Sequence, residues 1–307
     1  MQRMLIDTDT ASDDAVALVM ALRDPSVRVE AITVVAGNVP LDQAVQNALF
    51  TVELCGSEVP VHAGLAAPMM RDLQSAENVH GSDGMGEIGL DLTGRVPAPG
   101  RAVDVMVETF LTNPGAIDLV TIGPLTNVAA ALLRAPEMAG AVKHCYIMGG
   151  TGAGTGNVTP LGEFNFWCDP EAAKVVLRSG MAITMIGWDI SVASATFDPA
   201  QAAELRSIGT PYAEFCVDIQ AVLNDFALNE TNLPGFDFPD PIAMAVAIDP
   251  SIAEIALRFV DVEIGDGHAR GHDIVDWLEV TGHPANVGVV THVDRQVFVN
   301  MLSERLR

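Results

Sequence analysis

The stretch MLIDTDTASDDAVALVMAL, residues 4–22, decides how this chain is read. A short apolar run, Met4-Leu5-Ile6, leads into four aspartates within eight residues: Asp7, Asp9, Asp13 and Asp14. RMLID reads as a strand and DDAVALVMALRD as an amphipathic helix with acidic residues at its start. Like charges so crowded repel one another, so the cluster destabilises the fold unless something positive joins it.

Working outward, the same β-then-α alternation recurs. VRVEAITVVAG reads as a β-branched strand ending in Gly37, followed by a helix over 41–55, and EVPVHAG as a further short strand. AIDLVTIG, HCYIMGG and AITMIGW are continuous apolar runs of the kind a doubly covered parallel sheet requires. Between them lie helices with proline turns and caps, such as DPEAAKVVLRSG over 169–180. The expected fold class is therefore α/β: an open, doubly wound, mostly parallel sheet with helices on both faces and a Rossmann-like core. Residues 72–100, which include NVHGSDGMGEIG, are polar and glycine-rich and read as a long mobile loop. After Asp198 the pattern is more helical. Residues beyond 252 carry strand-like runs and a last helix near Arg295. With no linker, repeat or low-complexity tract, 1–307 reads as a single domain.

Composition narrows the partners. The 307 residues include 40 acidic and 16 basic ones, a net charge of -24, and lysine occurs only at 143 and 174. Such a surface repels phosphate backbones and anionic membranes, so nucleic acid and membrane are excluded as expected partners and a neutral or cationic small molecule fits better. Cys55, Cys145, Cys168 and Cys216 form no C-x-x-C pair, which suggests core residues in a reducing compartment. With no apolar run long enough to span a bilayer and Asp7 interrupting any leader-like core, the expected location is cytoplasmic.

In an open α/β sheet, ligands gather at the carboxyl ends of the strands, where Asp7 and Asp9 sit while Asp13 and Asp14 open the next helix. Hard oxygen donors without His or Cys favour Ca²⁺ or Mg²⁺. An EF-hand loop fails at its fifth and sixth positions, Ala11 and Ser12. LIDTDT also satisfies the D-x-D-x-T opening of dehalogenase-like phosphatases, with Asp7 as nucleophile and Asp9 as acid. That chemistry needs a later lysine and acidic pair, for which Lys143 or Lys174 with Asp266 and Asp273 are the candidates.

The whole of DTDTASDDAVAL resembles the nucleoside hydrolases of the inosine-uridine-preferring family, whose hallmark is D-x-D-x-x-x-D-D. TVVAGN, ending at Asn38, agrees with it, as do TIGPLTNVA over 121–129, GNVTPLGEFNFWCDPEAA over 156–173 and DPIAMAVAIDP over 240–250. The resemblance implies Ca²⁺-dependent hydrolysis of the N-glycosidic bond of a small-molecule ribonucleoside, by a homo-oligomer (dimer or tetramer). It places Asp9, Asp14, Asp240 and the carbonyl of Ile122 on the metal, with Asp9 doubling as general base toward the attacking water. Asp13, Asn38, Asn157, Glu163 and Asn165 would hold the sugar hydroxyls, and Asp7 would orient its neighbours from behind. Cleavage through an oxocarbenium-like transition state needs such an activated water and relief of charge on the leaving group.

The chain departs from the family pattern at Pro239, where many members carry a histidine that protonates the departing base. His80, in the glycine-rich loop, is the second candidate for that acid if the loop closes. Trp167, Trp188, Trp277, Phe164 and Phe226 are candidates for stacking on the base. A non-catalytic nucleoside- or sugar-binding protein stays open as an alternative, as does base preference.

Overall fold

The computed structural model describes residues 1–231 and 233–307. Its first six strands are β1 (Gln2–Thr8), β2 (Val27–Val34), β3 (Val61–Ala63), β4 (Asp118–Thr121), β5 (Cys145–Met148) and β6 (Ile183–Ile186). Then come β7 (Thr196–Phe197), β8 (Phe236–Asp237), β9 (Ala253–Arg258), β10 (Val260–Val262), β11 (Asp273–Val275) and β12 (Val287–Val293). Eight of them form one sheet in the order β3-β2-β1-β4-β5-β6-β12-β9. All pairings in it are parallel except that of β12 with β9. β7–β8 and β10–β11 are separate antiparallel pairs.

Side chains alternate across a strand, and β1 shows what that does here. Met4 and Ile6 join one apolar core, with the helices Ser12–Leu22, Pro239–Ile248 and Arg295–Leu306. Leu5 points the other way, into a second core with the helices Ala102–Thr112, Thr126–Arg134 and Pro170–Leu177. With helices on both faces, strands read as unbroken apolar runs.

Two helices carry acids of the N-terminal cluster or its distant partner. Ser12–Leu22 is buried along nearly its whole length, and so is Pro239–Ile248. Burying Ile242, Met244 and Val246 contributes roughly 1.5–3 kcal/mol each, so Asp240 in the first turn of that helix sits on a rigid support. The long segment 72–100 differs from its expected character. Glycines with positive φ at 81, 84 and 86 turn it tightly, and a short helix, Glu77–His80, packs His80 into the protein. Among the described residues no helix is long and apolar enough to cross a membrane.

Candidate active site

β1 lies between β2 and β4, where the order of strands reverses, and crevices open at the carboxyl ends of strands at such a point. The chain leaving β1 carries Thr8-Asp9-Thr10 into the helix that begins at Ser12. Asp14, one turn in, accepts the Ala11 N–H at 2.9 Å and the Thr8 hydroxyl at 2.6 Å, one on each carboxylate oxygen. Asp9 accepts the Asn38 N–H at 2.7 Å, and its other oxygen, Oδ1, is buried without a partner. Gly37 and Gly123 flank this carboxylate so closely that an added Cβ would lie 2.1 Å and 2.6 Å from its oxygens. Only glycine lets two backbones approach an acid in this way.

Asp7 sits behind. It accepts the Thr33 hydroxyl at 2.6 Å, as the β1–β2 register that sets Asp7 opposite Thr33 allows, and the Asn127 amide at 2.9 Å. Asn127 in turn donates to Val34 O and accepts from Leu65 N–H, so it ties three segments behind the site.

Oxygen atoms of Asp13, Asp14 and Asp240 lie within 4.8 Å of one another, all three residues being buried. This tight group differs from the expected metal set: it includes Asp13, assigned from the sequence to the sugar, and does not include Asp9. Asp9 stands beside it, close enough to raise the pKa of Asp240. Burial first, then mutual repulsion, pushes these acids up: Asp13 to about 7, Asp14 to about 6, Asp9 and Asp240 well above the usual carboxylate range. For Asp13 the repelling neighbour is Asp237. Among the described residues the one basic side chain that comes within 4 Å of their carboxylates is His80, with Nδ1 3.8 Å from Asp13 Oδ1. Buried acids without cationic partners, with Asp9 Oδ1 and Asp13 Oδ1 unpartnered, are the donor set that a hard divalent cation satisfies.

Asp13 and Asp240 floor a polar chamber of about 90 Å³, which shares Asn38, His80, Asn157, Trp188, Leu223 and Asp237 with an outer chamber of about 330 Å³. Glu163 lines the inner one. Its carboxylate caps the helix Phe164–Cys168, accepting the N–H groups of Asn165, Phe166 and Gly150, and burial pushes it up to about 7. Asn165 donates its amide to Met148 O at 3.2 Å and to Ile122 O at 3.4 Å, so the Ile122 carbonyl faces this chamber too. Asn157 is exposed at the mouth, where its Oδ1 accepts the Phe164 N–H. The Asn38 side chain reaches toward Asp14 at 3.4 Å.

His80 differs from the expectation of a mobile residue awaiting closure. It is buried in the wall of both chambers, with Nδ1 at 2.9 Å from the Ser12 hydroxyl. Burial lowers its pKa to about 4, so the imidazole is neutral at pH 7. Of the expected stacking residues, Phe164, Trp167, Trp188 and Phe226 line the outer chamber. Trp277 instead packs against the second core, under Arg258. The phosphatase set is dispersed: Lys143 pairs with Asp118, Lys174 with Asp261, Asp266 with Arg71, and Asp273 binds Thr151. Asp7 is fully buried and lines neither chamber, with Thr33 and Asn127 both holding its Oδ1, so it is not placed to attack a bound substrate.

One acidic residue of the lining was not expected from the sequence. Asp237 is buried, lines both chambers, and accepts from Trp188 and Ser191. It lies between Phe236 and Phe238, the same polar-among-phenylalanines pattern that marks Glu163 and Asn165.

The chain is similar to known proteins over nearly its whole length. A family model described as inosine-uridine preferring nucleoside hydrolase matches residues 4–300. Pyrimidine-specific ribonucleoside hydrolase RihA of Salmonella schwarzengrund is 36% identical over 306 residues, covering 99% of this chain and 98% of the relative. A plant nucleoside hydrolase, PpNRh1, superposes with a TM-score of 0.93 at 30% identity, covering 99% of this chain and 98% of that one. A purine-preferring ribonucleoside hydrolase from Gardnerella vaginalis does so with a TM-score of 0.91 at 30% identity, over the same shares. With buried acids at the strand-order reversal and a small polar chamber opening into an aromatic one, the chain belongs to the inosine-uridine preferring nucleoside hydrolases and is an enzyme that cleaves the N-glycosidic bond of ribonucleosides.

Proposed function

We propose that this chain hydrolyses ribonucleosides as a Ca²⁺ enzyme, seating the sugar in the inner chamber and the base in the outer one. The observation that carries the reading is the convergence of Asp13, Asp14 and Asp240, with Asp13 and Asp240 on the floor of a polar chamber that opens into an aromatic one. Asp9, Asp14, Asp240 and the Ile122 carbonyl would hold the ion, with Asp13 beside them. When bound, a hard divalent cation keeps the acids ionised and makes a coordinated water more acidic.

The remaining steps belong to the side chains. Asp9, its Oδ2 fixed by the Asn38 N–H, offers Oδ1 to take a proton from the attacking water. Water oxygen bonds to the anomeric carbon as the bond to the base nitrogen breaks and its electron pair leaves with the base. Asp13, Asn38, Asn157, Glu163 and Asn165 hold the sugar hydroxyls, each of which costs roughly 1–3 kcal/mol if buried unpaired. His80, neutral at pH 7, contributes a hydrogen bond rather than a proton. Aromatic walls from Phe164, Trp167, Trp188 and Phe226 hold the base, purine or pyrimidine, against its leaving position.

The chain acts as one unit over 1–307. Its four free cysteines support a reducing, cytoplasmic setting, and the exposed Leu257, Leu278 and Val280 support a dimer or tetramer contact. Incubation with inosine, uridine, cytidine and p-nitrophenyl phosphate, with and without chelator, tests the reading. Reducing sugar released only with metal, and lost in Asp9→Ala, is expected. Phosphate release, or nucleoside binding without products, would overturn it.

A further inference from the structure

Asp237 is held by geometry that the hydrolytic steps themselves do not require. Trp188 opens the helix Trp188–Ser194, and Ser191 lies one turn further along it. Residues three apart on a helix share a face, and here both point at one atom. Asp237 Oδ2 accepts the Trp188 indole N–H at 3.0 Å and the Ser191 hydroxyl at 2.7 Å. Backbone pairing of β7 with β8 sets Asp237 opposite Thr196, just beyond the end of that helix. Three residues after Asp237 comes Asp240, on the floor of the inner chamber. One carboxylate oxygen therefore ties the ring that walls both chambers to the segment that carries the acid cluster.

We infer that Asp237 is a positioning residue for base recognition: it locks the Trp188 ring in the wall of the outer chamber, at a fixed place relative to the sugar site. This rests on the reading that the base occupies the outer chamber. An indole whose N–H has no buried acceptor turns to find one, and its face then no longer meets the base. Because the anchoring atom only accepts, an amide oxygen can replace it. That separates positioning from a role in which Asp237 gives up a proton, which an amide cannot do.

The experiment is calorimetric titration and steady-state kinetics with inosine, uridine and D-ribose on wild type, Asp237→Ala, Asp237→Asn, Trp188→Phe and the Asp237→Ala/Trp188→Phe pair. Expected for Asp237→Ala is about a tenfold weaker Kd and higher KM for the nucleosides, with ribose affinity within twofold and kcat less affected than KM. Asp237→Asn restores most of that loss. The double variant is no worse than the poorer single one, because both substitutions remove one interaction. The inference is overturned by unchanged nucleoside affinity in Asp237→Ala, by ribose affinity falling in parallel, by multiplying effects in the pair, or by Asp237→Asn losing kcat as fully as alanine. If wild type released no sugar, the hydrolytic reading would fall, while the inosine-against-ribose titrations would still decide the role of Asp237.

Discussion

Replacing Asp240 by Asn should make the metal-free protein more stable while ending its turnover. Two unit charges no more than 4.8 Å apart repel by at least ~3.5 kcal/mol at an effective dielectric of about 20, and Asp240 has two such neighbours, Asp13 and Asp14. The folded protein escapes part of this by binding a proton. Holding a group of ordinary pKa 3.8 protonated costs ~1.4 kcal/mol per pH unit above that value. The penalty carried by Asp240 therefore has a ceiling of ~6 kcal/mol at pH 8 and ~2 kcal/mol at pH 5. An amide removes the charge and still offers a donor to Asp13, as the protonated acid does. At ~2 °C per kcal/mol for a chain of this size, Asp240→Asn in chelator should melt ~6–12 °C above wild type at pH 8 and under ~4 °C above it at pH 5.

The pH course of wild type follows from the same raised values. Asp13 at about 7 and Asp14 at about 6 in the folded state bind protons that the unfolded chain releases near 3.8. Metal-free wild type thus loses stability as pH rises from about 4 through 7, and Asp240, while it still holds its proton, extends that loss to higher pH. Calcium should narrow the gap at pH 8, since a cation at a hundred times its Kd adds ~2.7 kcal/mol to the form that binds it. Scanning calorimetry in chelator and in calcium, at pH 5 and pH 8, provides the measurement. If Asp240→Asn melted below wild type in chelator at pH 8, or if the gap failed to narrow at pH 5, the acids would not be the unpaired charges supposed.

Gly37→Ala drives a Cβ to 2.1 Å from Asp9 Oδ2, so it should cost roughly 1–3 kcal/mol and nearly all turnover. Gly140→Ala, in the helix Met138–Ala141 with nothing within 4 Å, should be neutral or stabilise by up to ~1 kcal/mol; chemical denaturation compares the two. His80→Gln should lower kcat/KM without altering the shape of its profile between pH 5.5 and 8, because burial holds the imidazole neutral across that range at about 4. Disappearance of an acidic limb near the ordinary histidine pKa in this variant would show that His80 titrates in turnover.

The sheet was legible because each covered strand is an apolar run too short for a helix, and the cluster was legible because four acids come after such a run with no basic residue among them. Which acid faces which was not. Asp7 is silenced by Asn127, 120 residues away, and no local pattern announces that hydrogen bond. That Asp13 stands as near to Asp14 and Asp240 as it does was not legible either, because the turn over Thr10 and Ala11, held by Thr8, Asn38 and Gly37 together, aims those carboxylates. His80 was hidden by composition: glycine and polar neighbours signal a mobile loop, yet positive-φ turns fold the segment back so the ring meets Ser12. Asp237 was hidden by the opposite bias, a lone acid in an apolar stretch that counts for little until Trp188 and Ser191 are seen to point at it.

The acids converge at the carboxyl end of β1 because its two neighbours, β2 and β4, send their chains away to opposite sides and leave a gap there. Filling that gap with apolar side chains would join the two cores and stabilise the fold. The chain fills it with carboxylates and holds them there with groups that point at them from behind: Thr8, Ala11, Asn38 and Asn127. Those donors keep the acids in place but are too weak to offset their burial, as the raised values of Asp7, Asp9 and Asp14 show. A site built from strain of this kind gains its stability only from what binds to it, so substitutions that relax the metal-free protein should be the ones that weaken its hold on cation and sugar.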